Sequence, residues 1–228
     1  MNLTLITATL GRPTLLNTAK YIMEQDYPVQ WLVLFDGQAA FDRGKGFLPQ
    51  ADNIEVVVDK GTGEHFPLMF KHVDKIKTKY IGFIDDDNEM VPKHSRMIYE
   101  ALIDNHSFVA TQRVFSDQNM NIVSVEHPES SQVDTNNMGL TTELFKAAAE
   151  FYSMECKGNL FSDRHLTAYL LARNIKCHRI KNVYTINYKL NPVLDLKSRT
   201  NLKLLEDLNG TTIGSPLSSP ASREYLLK

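Results

Sequence analysis

Along the first ninety positions, short unbroken apolar runs alternate with stretches of helical spacing. Leu3-Thr4-Leu5-Ile6-Thr7, Trp31-Leu32-Val33-Leu34-Phe35, Ile54-Glu55-Val56-Val57-Val58 and Tyr80-Ile81-Gly82-Phe83-Ile84 are rich in β-branched and aromatic side chains. Runs of this kind read as strands, buried on both faces where they are apolar throughout. After the first, Pro13 suits an opening helical turn, and Leu15, Leu16, Ala19, Ile22 and Met23 follow at the 3.6-residue period. Met69, Phe70, Val73 and Ile76 mark a second helix. Four strands separated by helices or crossovers predict an α/β chain with a mostly parallel central sheet flanked by helices.

The second half changes character. After Pro92 the spacing predicts a helix through Ile98, Ala101 and Leu102, and strands near 108–115 and 121–126 flank Ser116-Asp117-Gln118-Asn119 as a hairpin. Helices near 141–152 and 162–174 precede short strands at 176–180 and 183–188. From 208 to 228 the chain turns rich in Gly, Ser, Thr and Pro, the composition of a tail. One domain over 1–207 is expected, in two halves, 1–115 and 116–207.

Composition limits the alternatives. With 228 residues, 43% hydrophobic and 23% charged, the chain is an ordinary soluble domain. No apolar run approaches the roughly 20 residues that span a bilayer. Leu3–Leu10 is interrupted by threonines, lacks a basic leader and stops at Gly11-Arg12-Pro13, so it reads as a strand rather than a signal segment. A cytoplasmic location is expected. Cys156 and Cys177 do not form a C-x-x-C pair, which reads as two free thiols, and the seven histidines lack zinc spacing. The net charge of −2 conceals a segregation: residues 1–163 carry 14 Lys and Arg against 23 Asp and Glu, whereas 164–203 carry nine basic residues against Asp195 alone. Such a division creates a local positive field.

The candidate chemistry lies at strand ends. Thr7, Thr9, Asp36, Asp59 and the run Asp85-Asp86-Asp87 follow apolar strands, and open parallel sheets bind ligands beyond the carboxyl ends of their strands. If the chain stays extended past Ile84, Asp85 and Asp87 point one way and Asp86 the other. Two carboxylates on one side can hold a divalent cation that also bridges a diphosphate. An EF-hand fails for want of the loop glycine and terminal glutamate, and neither a P-loop nor a G-x-G-x-x-G turn is present.

Thr7-Ala8-Thr9-Leu10-Gly11-Arg12-Pro13, Asp36-Gly37 and Phe83-Ile84-Asp85-Asp86-Asp87, in this order and spacing, resemble family 2 glycosyltransferases of the GT-A fold. The similarity extends over about residues 2 to 190. It implies a Rossmann-like GT-A domain with a nucleotide-sugar-binding half (1–115) and a smaller acceptor-side half (116–207). By this resemblance Thr7, Thr9, Arg12 and Asp36 would line the nucleoside pocket, with Asp86 and Lys60 on the nucleotide-sugar side. Asp85 and Asp87 would hold Mn2+ or Mg2+ on the donor diphosphate. Asp163, following Ser162 at a helix start, would be the catalytic base, with Asp134 and Glu126 the next acids to consider. Where many relatives carry an Arg-Asn pair this chain has Pro67-Leu68-Met69, so Lys60 or His65 would supply the phosphate-side contact.

The expected function is therefore metal-dependent, inverting transfer of a sugar from a nucleoside-diphosphate sugar to an acceptor hydroxyl. The basic segment suggests a polyanionic acceptor: a phosphorylated glycan, a lipid phosphate or a nucleic acid. A nucleotidyltransferase, which would release pyrophosphate, and a non-catalytic nucleotide- or carbohydrate-binding module are the rivals.

Overall fold

The computed structural model describes residues 1–61, 63–104, 106–117, 122–126, 133–155 and 162–189. The four apolar runs form β1 (Leu3–Thr9), β2 (Gln30–Phe35), β3 (Ile54–Val58) and β4 (Tyr80–Phe83), paired in parallel in the order β3-β2-β1-β4. Side chains alternate across them. Leu3, Leu5, Trp31, Val33 and Phe35 enter one apolar layer, and Ile6, Ala8, Leu32, Leu34 and Phe83 enter the other.

Helices cover both layers. On the first face lie α1 (Leu15–Met23), through Leu15, Ala19 and Ile22, the short α2 (Gln38–Gly44), through Ala40, and α4 (His94–Ile103), through Ile98 and Leu102. On the second lie α3 (His65–Lys71), α5 (Thr142–Glu155) and α6 (Asp163–Ala172), contributing Phe66 and Phe70, Phe145 and Ala148, and Leu166 and Leu170. The apolar stripe of α1 is narrower than its sequence predicts, because Leu16 and Met23 are exposed.

Beyond β4 the sheet becomes mixed. β5 (Glu89–Met90), β6 (Phe108–Ser116), β7 (Ile122–Val125), β8 (Met138–Thr141) and β9 (His178–Lys189) extend it as β4-β8-β6-β9-β5, with β7 hairpinned on β6. β8 runs antiparallel to both β4 and β6. Like the two-residue β5, it is a strand that sequence pattern misses: four residues around a glycine offer no β-rich run. The glycine has a packing reason, since a Cβ at Gly139 would lie 2.4 Å from Ile98 Cγ2, where α4 presses on the sheet. The two short strands expected at 176–180 and 183–188 are one strand, β9, whose register on β6 jumps from Ala110↔Arg179 to Gln112↔Tyr184. Among the described residues one nine-stranded sheet thus runs through both halves. No helix among the described residues is long and apolar enough to cross a membrane. The tail expected at 208–228 lies outside the described residues.

Candidate active site

After β1 the chain reverses at Gly11, whose φ of +72° and whose missing Cβ, which would lie 2.0 Å from the Ala40 carbonyl oxygen, leave room for no other residue. The Gly11 N–H donates to Thr9 Oγ1 at 2.8 Å, and the Thr9 hydroxyl donates to Asp86 Oδ2. The reversal returns Arg12 over the end of β4, where its guanidinium binds Asp86 Oδ1 and, at 2.9 Å, Asp87 Oδ2. β4 ends at Phe83, and Asp86-Asp87 form a turn. The alternation expected of an extended chain therefore does not hold: Asp86 and Asp87 both meet Arg12. Asp86 is fully buried and acts through Arg12 and Thr9. Burial opposes the charge on Arg12, but the hydrogen bond to Asp86 and the fields of Asp86, Asp87 and Asp85 outweigh it and raise the guanidinium pKa.

Asp85 faces elsewhere. The Asn136 side chain accepts from the Asp85 backbone N–H and donates from Nδ2 to Asp85 Oδ2 at 2.7 Å. His65 Nδ1 lies 3.9 Å from the other oxygen, Oδ1. Desolvation pushes the Asp85 carboxyl up to about 6; the Asn136 donor and His65 pull the other way, while Asp134 and Asp87 add repulsion. Asp134 is held by Arg113 Nη1 at 3.1 Å, by the Tyr188 hydroxyl and by the Asn136 amide. Behind it, Glu126 is buried between Arg113 and Arg179 at 3.2 and 3.1 Å. That double ion pair removes Glu126 from the candidate bases.

Asp163 opens α6 and lines a pocket of about 440 Å³ with Arg113, Asp134 and Arg164, walled by Val133 and Leu171. Burial raises its pKa and the charge of Asp134 adds to the rise, against the Arg164 N–H and the charges of Arg164 and Arg113. Its neighbour His165 is engaged in capping, accepting the Ser162 N–H at Nδ1 at 3.2 Å.

The remaining expected residues divide. Asp36, half-buried at the end of β2, accepts the Gly63 N–H at 2.8 Å, which ties the loop after β3 to the crevice rim. Lys60 is exposed in that loop, and its backbone N–H binds Asp59. Thr7 has no exposed surface, and its hydroxyl accepts from Trp31 Nε1 at 2.9 Å. It braces the sheet rather than facing the crevice. Asp59 is likewise structural: Lys71 and His72 grip its carboxylate, each at 2.7 Å from Oδ2.

Sequence reasoning did not single out Asn136 or Arg113. The turn signal Asp134-Thr135-Asn136-Asn137 was legible, and it does form a capped 3-10 turn, but nothing local states that Asn136 reaches Asp85. Of the basic segment's described residues, Arg179 is spent on Glu126, and Arg173 lies over the Tyr169 ring at 3.8 Å. Arg164 is the one on the pocket wall. Residues 190–203 lie outside the described residues.

No protein-family model matches the chain, and no curated protein matches it in sequence. Solved structures do match. S. aureus TarS 1–349 in complex with UDP-GlcNAc superposes with a TM-score of 0.58 at 15% identity, over 99% of this chain and 70% of that one. Against the longer TarS chain the TM-score is 0.57 at 16% identity, and this chain spans 42% of its length. The mannosyltransferase PcManGT from Pyrobaculum calidifontis, in complex with GDP-Man and Mn2+, gives 0.58 at 12% identity over 81% of this chain and 56% of that one. The 4-diphosphocytidyl-2C-methyl-D-erythritol synthase of Anaerococcus prevotii gives 0.59 at 13% identity, over 88% and 96%. At these identities the likeness is one of fold, and that fold, a central sheet flanked by helices, is the GT-A-like α/β architecture that glycosyltransferases share with a nucleotidyltransferase-like enzyme.

Proposed function

We propose that the chain is a metal-dependent glycosyltransferase that moves a sugar from a nucleoside-diphosphate donor to an acceptor hydroxyl. The observation that carries this reading is the position of Asp134. It shares the Asn136 amide with Asp85, shares the pocket with Asp163, and raises the pKa of both. Asp134 thus links the acidic run to the helix-start aspartate although 78 positions separate Asp85 from Asp163.

With Asp87 released by Arg12, Asp85 and Asp87 would hold a cation shared with substrate. Among the described residues no group of three or more His, Cys, Asp or Glu is placed to cage a metal. Mg2+ and Mn2+ take oxygen ligands, and Mg2+ usually keeps waters and substrate phosphates beside one or two carboxylates. A bound cation would supply Lewis-acid stabilisation of the leaving diphosphate. Arg12 would turn from Asp87 toward donor phosphate, with Asp86 keeping it in place. Asp36 and Thr9 would bound the nucleoside side, and Lys60 or His65 would supply the phosphate-side contact. Asp163 would accept the proton of the attacking hydroxyl, which its raised pKa favours. Inversion of configuration follows from a single displacement. The acceptor would enter the pocket beside Arg164; a polyanionic acceptor would use that residue first.

The test is a thermal-shift screen of nucleoside-diphosphate sugars with and without Mn2+, followed by product analysis. A true donor raises the melting temperature by mass action in a Mn2+-dependent way and yields a nucleoside diphosphate. Full transfer activity in EDTA would sink the metal assignment. A second reading, a nucleotidyltransferase, is favoured by the erythritol synthase likeness, which spans 96% of that enzyme. Pyrophosphate as the product would establish it instead.

A further inference from the structure

Asn136 is fully buried, and its side-chain amide is used at both ends. Oδ1 accepts the Asp85 backbone N–H, while Nδ2 lies 2.7 Å from Asp85 Oδ2, 3.0 Å from Asp134 Oδ1 and 2.6 Å from the Tyr188 hydroxyl. A primary amide offers two N–H donors and one carbonyl acceptor, so two carboxylates and a phenol consume its donors. The grip on Asp85 has two points: the carbonyl fixes the backbone and the amide fixes the rotamer. Oδ2 is thereby occupied, and Oδ1 is left on the His65 side.

The turn that carries Asn136 does not need this side chain. Asn137 Oδ1 accepts the Asp134 N–H at 3.1 Å, and Asp134 Oδ1 accepts the Asn136 N–H at 3.0 Å, which close the turn by themselves. Nor would the isosteric aspartate serve, because it cannot donate to Asp85 Oδ2 and would add a third negative charge. An asparagine holds a carboxylate still without competing with it for a cation.

We propose that Asn136 is a positioning residue for the metal-binding carboxylate: it immobilises Asp85 through Oδ2 so that Oδ1 is the oxygen presented to a divalent cation. This rests on the metal reading of the proposed function. Residues that orient a ligand by hydrogen bonding change metal affinity when removed, by roughly 10- to 100-fold.

The experiment titrates the 228-residue chain with Mn2+, alone and with uridine diphosphate, reading free Mn2+ by its paramagnetic resonance signal. Wild type, Asp85→Asn, Asn136→Leu and the smaller, still polar Asn136→Ser are compared, and each is melted in EDTA. Expected are no binding by Asp85→Asn and affinities lower by roughly 10- to 100-fold for both Asn136 variants, with Asn136→Ser melting close to wild type. A folded Asn136 variant that binds Mn2+ as wild type does, while Asp85→Asn does not, overturns the positioning role alone. Failure of both Asn136 variants to fold also overturns it, making Asn136 a residue of the fold. Wild-type binding by Asp85→Asn, or no binding by wild type in either arm, overturns the metal reading itself.

Discussion

Thr7 and Thr9 stand two positions apart on one face of β1 yet have different tasks. Thr9, at the strand end, reaches Asp86, whereas Thr7 is enclosed and receives the Trp31 indole N–H. Thr7→Val would leave that buried donor unpaired, a loss of about 1–3 kcal/mol. Urea denaturation should show this destabilisation, and nucleotide affinity should not change. The role proposed for Asp163 is chemical rather than structural. Asp163→Asn should lower turnover by about 10²- to 10⁴-fold, the usual contribution of a general base, with donor binding nearly unaltered. Because burial and Asp134 raise the Asp163 pKa, the wild-type rate should fall on acidification at a higher pH than an ordinary carboxylate would give, and the variant should lack that limb. If the variant turns over almost normally, Asp134 is the remaining acid on the pocket wall, since Glu126 is locked between two arginines.

At the scale of elements, the turn from β1 to α1 is the piece that local sequence makes most of. Gly11 carries both a positive φ and a backbone contact closed to any Cβ. Gly11→Ala must shift α2 or abandon the conformation, so it should cost more than about 1 kcal/mol. It should also weaken donor binding, because the same turn aims Arg12. Calorimetry of the variant with a nucleoside diphosphate would check both effects. β9 shows the opposite relation. Its two halves look like separate strands because the pattern breaks at 181–182, and β6 absorbs the extra residues as a register jump. The far end of this strand brings Tyr188 onto Asp134, a placement that follows from pairing and not from local propensity.

For the whole molecule, acid stability reports on the buried groups. His94 is enclosed where α4 meets β9, with Nδ1 against Thr185 Oγ1 at 2.7 Å and Nε2 without a partner among the described residues. Burial lowers its pKa from 6.5 to about 3. The folded state keeps the imidazole neutral while the unfolded chain takes up a proton below 6.5. The His94 contribution is therefore full above that value and is lost progressively as pH falls toward 3, at up to about 1.4 kcal/mol per pH unit. Asp85, raised to about 6, acts in the opposite sense over the upper part of that window. Asp59, lowered from 3.8 to about 2 chiefly by its hydrogen bond to Lys71, adds a second window: its contribution is present above 3.8 and disappears as pH falls toward 2. The stability advantage of wild type over His94→Gln should shrink as pH falls from about 6 to about 4, with the lower decline kept by both; a difference that stays constant with pH would mean that another group takes up the proton.

What the sequence determined by itself was periodic or local. Apolar runs of strand length and helical stripes specified four strands of a mostly parallel sheet, most of the helices around it and the hairpin of β6 and β7, because residue spacing alone decides which side chains share a face. The order β3-β2-β1-β4 and the short α2 were not among these. Glycine at position 11 and acids after β2 and β4 marked the crevice rim for the same reason: strand ends and turns have local chemical requirements. The tertiary structure decided the rest. Four residues around Gly139 became a central antiparallel strand only because α4 packs upon them. That strand carries the turn before it to the end of β4, and there Asn136 meets Asp85 across 51 positions and Tyr188 meets Asp134 across 54. No propensity encodes such a meeting. It arises when non-local pairing brings buried polar groups together, and the cost of leaving any of them unpaired selects the arrangement in which each finds a partner.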